Sequence, residues 1–186
     1  MLEHEKKLKE NIIEYVLYLY HTEDLLRSLS LNKELVEEML IDKQGIKGRD
    51  RVKLMRWYED ILHEMESQNM EEKGHIEEVY QVIGELSYVH NALMTTLKDK
   101  DYQKLFEEAY PGILELKKKS DDSVENPIEL CFNGIYGVMV LRLKKKKITD
   151  ETLEEVKKFS NLLTYLGKRY QDVREGKMVL PKPQQN

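Results

Sequence analysis

The stretch that decides the fold reads IELCFNGIYGVMVLRL and runs from Ile128 to Leu143. Eleven of its 16 residues are apolar or aromatic, although 35% of the whole chain is charged. These apolar residues fall on every side of a helical wheel, and a helix of that kind must be surrounded by other helices. The sequence therefore predicts a bundle with an apolar central helix near residues 127–146.

The rest of the chain also favours helices. It contains only 9 Gly and 4 Pro in 186 residues, and it shows no long strand-like alternation. The clearest helical pattern runs in steps of three and four through Ile76, Val79, Ile83, Leu86, His90, Leu93 and Leu97. We predict an all-α protein: a single helical bundle of four to five long helices plus short connecting helices over residues 1–175, and an extended C-terminal tail over residues 176–186.

Local signals predict where several helices begin, end or break. One unbroken first helix is expected from Glu5 to Ser28, because apolar positions recur there at helical spacing. Pro111 is expected to kink or split the helix near residues 100–119, since proline has no N–H to donate. Asn126 followed by Pro127 is typical of a helix start, with the asparagine as cap and the proline in the first turn.

Composition argues against several classes of partner. The net charge of −5 disfavours nucleic acid, because proteins that bind it normally show a basic face. The longest apolar run is shorter than the ~20 residues that cross a bilayer, and the N-terminal residues lack the apolar core of a signal peptide. The single cysteine, Cys131, fits a buried thiol in a reducing compartment. We therefore expect a cytoplasmic protein that binds neither nucleic acid nor membrane.

Four polar residues within the helical pattern are the candidate ligand-binding residues: Glu23, His90, Asn133 and Arg142. His90 suits a core histidine bonded to a carbonyl, a tyrosine or a carboxylate, and the alternatives are a ligand or metal contact, or a pH-sensitive interface. Glu23 either reaches water at the helix edge or forms a buried pair with His90 or Arg142. Asn133 can cross-link helices through its amide, and Arg142 can reach water or a carboxylate from its helix end.

Catalytic and metal-binding motifs are absent from the sequence. Glu72 and His75 form the one Glu-x-x-His pair, whereas di-iron bundle sites need two such pairs and further carboxylates. The chain has neither a nucleophile elbow nor a glycine-rich phosphate loop. The sequence thus predicts no catalytic residue, no metal site and no cofactor.

Four segments carry a resemblance to a known family. They are EYVLYLYHTEDLLR (Glu14–Arg27), WYEDIL (Trp57–Leu62), EKGH (Glu72–His75) and ENPIELCFNGIYGVMVLRLKKK (Glu125–Lys146). Together with their spacing, they resemble an uncharacterised bacterial family of all-helical proteins, a domain of unknown function. The resemblance implies a helical bundle, and it implies no catalytic residue because no activity is assigned to the family.

Two functions from different classes fit these observations. The first is a non-enzymatic interaction module that self-associates as a homo-oligomer or binds another protein. The 11 Tyr against 3 Phe suit surfaces that are half buried, as at an interface. The second is a small-molecule- or metal-binding bundle with a polar site between the first, fourth and sixth helices, where Glu23, His90 and Asn133 would converge. The lack of catalytic motifs favours the first.

Overall fold

The computed structural model describes residues 1–120 and 124–180, and the regular elements within them are all helical. The α-helices are α1 (Glu3–Glu10), α2 (Ile12–Ser28), α3 (Lys33–Val36), α4 (Gly48–Ser67), α5 (Glu77–Asn91), α6 (Lys100–Lys119), α7 (Pro127–Leu143) and α8 (Asp150–Arg174). The predicted all-α class is therefore confirmed. Within the described ranges, no helix is both long enough and apolar enough to cross a bilayer. The last six residues of the predicted tail, 181–186, lie outside the described residues.

The chain forms two compact units, Met1–Gln81 and a second that starts at Val82. Helix α5 carries the chain from the first unit into the second, because it begins at Glu77 and ends at Asn91. The sequence did not indicate this division. The prediction of a single bundle over residues 1–175 stays a prediction.

In the first unit, α1 and α2 are separate helices that pack on each other. Asn11 lies between them with an extended backbone (φ −153°, ψ 95°), and its side-chain oxygen accepts hydrogen bonds from the N–H groups of Ile13 and Glu14. The prediction of one helix from Glu5 to Ser28 is wrong, because the asparagine caps a new helix there. The completely buried core of this unit includes Val16, Leu19, Leu26, Met65 and Val79.

In the second unit, α6, α7 and α8 pack against one another. Helix α7 starts as predicted: Pro127 is its first residue, and the Asn126 side chain accepts a hydrogen bond from the Ile128 N–H at 2.9 Å. Helix α6 continues through Pro111, so the predicted split is wrong. The carbonyl that loses its hydrogen-bond donor belongs to Glu107, which is exposed, so water can bond it instead.

The burial of α7 differs between its two halves. Four of the five positions 128–132 are only 0–1% exposed, namely Ile128, Leu130, Cys131 and Phe132. Towards its end, Leu141 is 38% and Leu143 66% exposed, and Gly137 is exposed as well. The prediction of an apolar helix covered on every side is therefore wrong for the second half. The helix leads into the exposed lysines 144–147, which require water, so its end must reach the surface.

The seam of α5 is buried as predicted except at its last position. The side chains from Ile76 to Leu93 in that pattern are at most 7% exposed, but Leu97 is 41% exposed. A π-helical turn over Ala92–Thr96 follows the helix, and its backbone hydrogen bonds span five residues instead of four. Leu97 lies where this turn ends, and Lys98 follows it with a φ of 49°, so the helical path on which the prediction rested stops there.

Candidate functional site

A buried carboxylate lies at the centre of the first unit. Glu23 on α2 is completely buried, so the alternative that it reaches water at the helix edge is wrong. One carboxylate oxygen accepts a hydrogen bond from the backbone N–H of Ile76 at 2.8 Å, and the other lies 2.6 Å from His75 Nδ1. The Tyr20 ring stacks on the His75 imidazole with centroids 4.0 Å apart. The partner of Glu23 is thus His75, a residue that the sequence offered only as half of a weak metal motif.

Arg27, one helical turn after Glu23, holds the same loop by its carbonyl groups. Its guanidinium donates a hydrogen bond to the Met70 carbonyl at 3.0 Å and a second to the Gly74 carbonyl. Gly74 has a φ of +102°, a conformation that side chains with a Cβ rarely adopt. Glu23 and Arg27 therefore both attach the loop Met70–Ile76 to α2. Glu23 binds an N–H group and an imidazole of the loop, and Arg27 binds two of its carbonyl groups.

This Glu23–His75 pair could in principle orient an imidazole for proton transfer, as carboxylates do in catalytic triads. Here both carboxylate oxygens bind groups from one loop, and the Ile76 N–H lies directly before the first turn of α5, where unpaired donors need acceptors. The pair joins two of the segments that carry the family resemblance, residues 14–27 and 72–75. We interpret it as a structural link between α2 and the start of α5.

His90 occupies the core of the second unit. It is 7% exposed, and its Nδ1 lies 2.8 Å from the hydroxyl of Tyr102, with the Phe106 ring centroid 4.9 Å away. Burial lowers the pKa of His90 to about 4, because a charged imidazolium is poorly solvated there. This is the predicted core histidine with a tyrosine partner.

An open cavity of about 730 Å³ lies between α6, α7 and α8. We call it the three-helix groove. Its apolar lining consists of Pro111, Leu116, Val138, Leu141, Val156 and Phe159. Its polar lining consists of Glu115, Lys119, Asn133, Glu151, Thr152 and Glu155. A concave, mostly apolar surface with a few polar groups is typical of binding sites.

Two glycines bring the walls of the three-helix groove close to Phe159, which is 2% exposed. A Cβ atom at Gly112 would lie 2.9 Å from the Phe159 ring, and one at Gly134 would lie 2.9 Å from the ring and 2.8 Å from Leu116. Gly137, one turn further along α7, has nothing within 4 Å of its Cβ position. The first two glycines thus permit close packing, whereas the third leaves open space in the groove.

The four candidate residues from the sequence lie in different surroundings. Glu23 belongs to the first unit and His90 to the core of the second, and their described partners are His75 and Tyr102. Asn133 lines the three-helix groove and Arg142 is exposed. Convergence of Glu23, His90 and Asn133 on one site stays a prediction. The groove itself was not predicted from the sequence.

The glycines give a direct test of this packing. Gly137→Ala should raise the free energy of unfolding by about 0.5–1 kcal/mol, because alanine favours a helix and meets no neighbour here. Gly134→Ala should lower it by about 1–3 kcal/mol, because its Cβ would overlap Leu116 and Phe159. Urea unfolding followed by circular dichroism measures both. Gly84→Ala, also at an open helical position, serves as control, and equal stability of the two α7 variants would contradict the close packing.

Fold and site together define a class: an all-helical protein with an open apolar groove. In the part of the chain that the structure describes, no three histidine, cysteine, aspartate or glutamate side chains come together as a metal ion would require. A model of the family DUF4924, a domain of unknown function, matches residues 1–177. The chain belongs to this family, which confirms the resemblance to an uncharacterised all-helical family. No curated protein and no solved structure matches the chain.

Proposed function

We propose that this protein is a non-enzymatic helical interaction module that binds an α-helix of a partner protein along the three-helix groove. The proposal rests on the groove itself, an open cavity of about 730 Å³ with an apolar lining. Contiguous exposed apolar surface often marks a site of protein interaction. A helix laid into an apolar groove is one of the recurring modes of recognition between proteins.

The arrangement of the second unit supports a helix as the occupant. Three helices, α6, α7 and α8, line the groove, so a helix laid along it would pack against side chains of all three. It would cover the exposed second half of α7, where Leu141 is 38% exposed and Gly137 offers no side chain as an obstacle. The apolar surface that α7 leaves open would then be buried, as expected for a helix that is apolar on every side.

The finer parts of the proposal concern location and partners. We place the protein in the cytoplasm, supported by its single buried thiol at Cys131, which suits a reducing compartment. A bacterial source is supported by the family resemblance alone. The net charge of −5 favours a protein partner over nucleic acid or a membrane.

A second copy of the chain is one candidate partner, and sedimentation over a concentration series tests it. A strict monomer at high micromolar concentration would exclude a homo-oligomer.

A small-molecule ligand is the second candidate function. The cavity volume lies within the roughly 300–1,000 Å³ of typical ligand pockets. Asn133, one of the candidate ligand-binding residues from the sequence, lines this groove and would make a polar contact with such a ligand. A helical partner is favoured because the groove is open along α7 and lined by apolar residues from three helices.

A groove-filling variant tests the function. Gly137→Leu should fit its open helical position without strain and occupy the groove, whereas Gly84→Leu adds the same side chain at an open helical position that does not line it. Helical peptides would be selected from a displayed library on the wild-type protein, then measured on both variants by fluorescence anisotropy. We expect binding at least about tenfold weaker to Gly137→Leu, equivalent to about 1.4 kcal/mol, and unchanged binding to Gly84→Leu. Selection that yields no helical peptide sensitive to Gly137→Leu would refute the proposal.

A further inference from the structure

We propose that the three-helix groove is specific for an amphipathic helix whose apolar stripe is flanked by cationic side chains. This inference rests on the proposed function and adds the chemistry of the partner. It follows from the charges around the groove, from one buried carboxylate oxygen, and from the apolar surface between them.

The charged lining of the groove is predominantly acidic. Three carboxylates, Glu115, Glu151 and Glu155, line it together with one ammonium group, that of Lys119. Lys119 lies 3.5 Å from Glu115, but both side chains are more than two-thirds exposed, so this pair is easily exchanged for another. Even when Lys158 is counted as the partner of Glu155, negative charge remains in excess. A helix with cationic flanks complements this rim, and one with acidic flanks is repelled by it.

Glu155 adds a specific acceptor. One of its carboxylate oxygens pairs with Lys158 at 2.5 Å. The other oxygen, Oε2, is shielded from solvent and has no hydrogen-bond partner in the described residues. A buried acceptor without a donor is unfavourable. This oxygen packs against Gly112 of α6, and Gly112 and Glu155 both line the groove. The side chain as a whole is 38% exposed, so a donor that enters the groove can approach the carboxylate. A lysine or arginine supplies such a donor.

The surroundings of Glu155 suit the long stem of a cationic side chain. Val156 and Phe159 on the same helix line the groove beside it. Lysine and arginine cover apolar surface with their methylene groups while their charged ends reach polar groups. Such a side chain could therefore pack along the apolar lining and donate to the carboxylate at its edge. A leucine at the same place would bury the surface but leave Oε2 without a donor.

Two synthetic peptides separate this inference from the general function. Both have about 20 residues, roughly 30 Å of helix, with leucines at helical spacing on one face and alanines on the other. The flanks of the stripe carry lysine in one peptide and glutamate in the other. Binding is measured by fluorescence anisotropy at physiological salt. We expect the lysine peptide to bind wild-type protein about tenfold more tightly, as two or three pairs of this kind would give.

Charge-reversal variants show whether the preference comes from the rim. Glu115→Lys together with Glu151→Lys changes exposed side chains and should reverse the preference between the two peptides. Glu154→Lys on α8 is the matched control, because it makes the same change at an exposed position outside the groove lining, and it should leave the preference unchanged.

The outcomes distinguish the two proposals. If both peptides bind equally well and Gly137→Leu weakens both, the groove binds helices but the charge preference is wrong. If neither peptide binds although peptides selected from the library do, the groove binds helices without recognising cationic flanks, and the inference is overturned. If the library selection also yields no helical peptide, the proposed function itself fails. If the lysine peptide binds equally well to wild type, to Gly137→Leu and to the rim reversal, the attraction is to the acidic protein as a whole, and the inference is overturned.

Discussion

Glu23→Ala should lower the free energy of unfolding by about 3–4 kcal/mol, one of the two largest effects expected in this protein. The substitution leaves the buried Ile76 N–H and the part-buried His75 Nδ1 without their acceptor, and it removes the volume of a completely buried side chain. Because the lost contacts hold the loop Met70–Ile76, hydrogen exchange at the Ile76 amide should also become faster. Urea unfolding and native-state hydrogen exchange measure these two effects.

Two further variants show which part of the loss comes from the buried bonds. Glu23→Gln keeps the shape and one acceptor oxygen, so its loss should be smaller, about 1–2 kcal/mol. Glu14, an acid on the same helix, has a side chain that is 58% exposed and pairs with Lys7. Glu14→Ala should therefore lower the free energy of unfolding by less than about 1 kcal/mol. If Glu23→Ala cost no more than Glu14→Ala, the link between α2 and the loop would carry no stability.

The features predicted correctly from the sequence depend on residues close together in the chain. The start of α7 depends on three neighbouring residues, the cap Asn126, Pro127 and Ile128. The buried seam of α5 depends on the spacing of apolar residues along one helix. Asn11 was missed although it gives the same kind of signal, because apolar spacing continues past it on both sides. At Asn11 the capping signal and the apolar periodicity disagree, and the cap determines where α2 starts.

The features that were missed depend on residues far apart in the chain. Glu23 was correctly identified as an acid on an apolar stripe, but His75 follows it by 52 positions in a loop without periodicity, so spacing could not supply the partner. The apolar pattern of α7 shows that its side chains avoid water, but not how many helices are available to cover them. The groove arises where Phe159 packs between Gly112 and Gly134, a contact among three helices that no single stretch of sequence reveals.

Stability should fall as the pH decreases from about 6.5 to about 4, and His90 should account for a separable part of this loss. In the unfolded chain the imidazole has its ordinary pKa of 6.5, whereas burial lowers the pKa in the folded protein to about 4. Above pH 6.5 both states are neutral at this residue, so His90 adds no pH dependence. Below it the unfolded chain binds a proton that the folded protein does not, and the folded state loses about 1.4 kcal/mol per pH unit.

The loss due to His90 should therefore reach about 3 kcal/mol near pH 4 and then level off, because the folded protein takes up the proton as well. His90→Gln removes the titrating group, so its unfolding free energy should fall less steeply than that of the wild type over this range. Tyr102→Phe removes the hydrogen bond but keeps the buried imidazole, so it should be less stable at every pH while retaining the wild-type slope. Urea unfolding at a series of pH values measures all three proteins. If the unfolding free energies of the wild type and His90→Gln changed with pH in parallel, the pKa of His90 would be the same in the folded and unfolded states. Burial would then not lower it, and the prediction would be wrong.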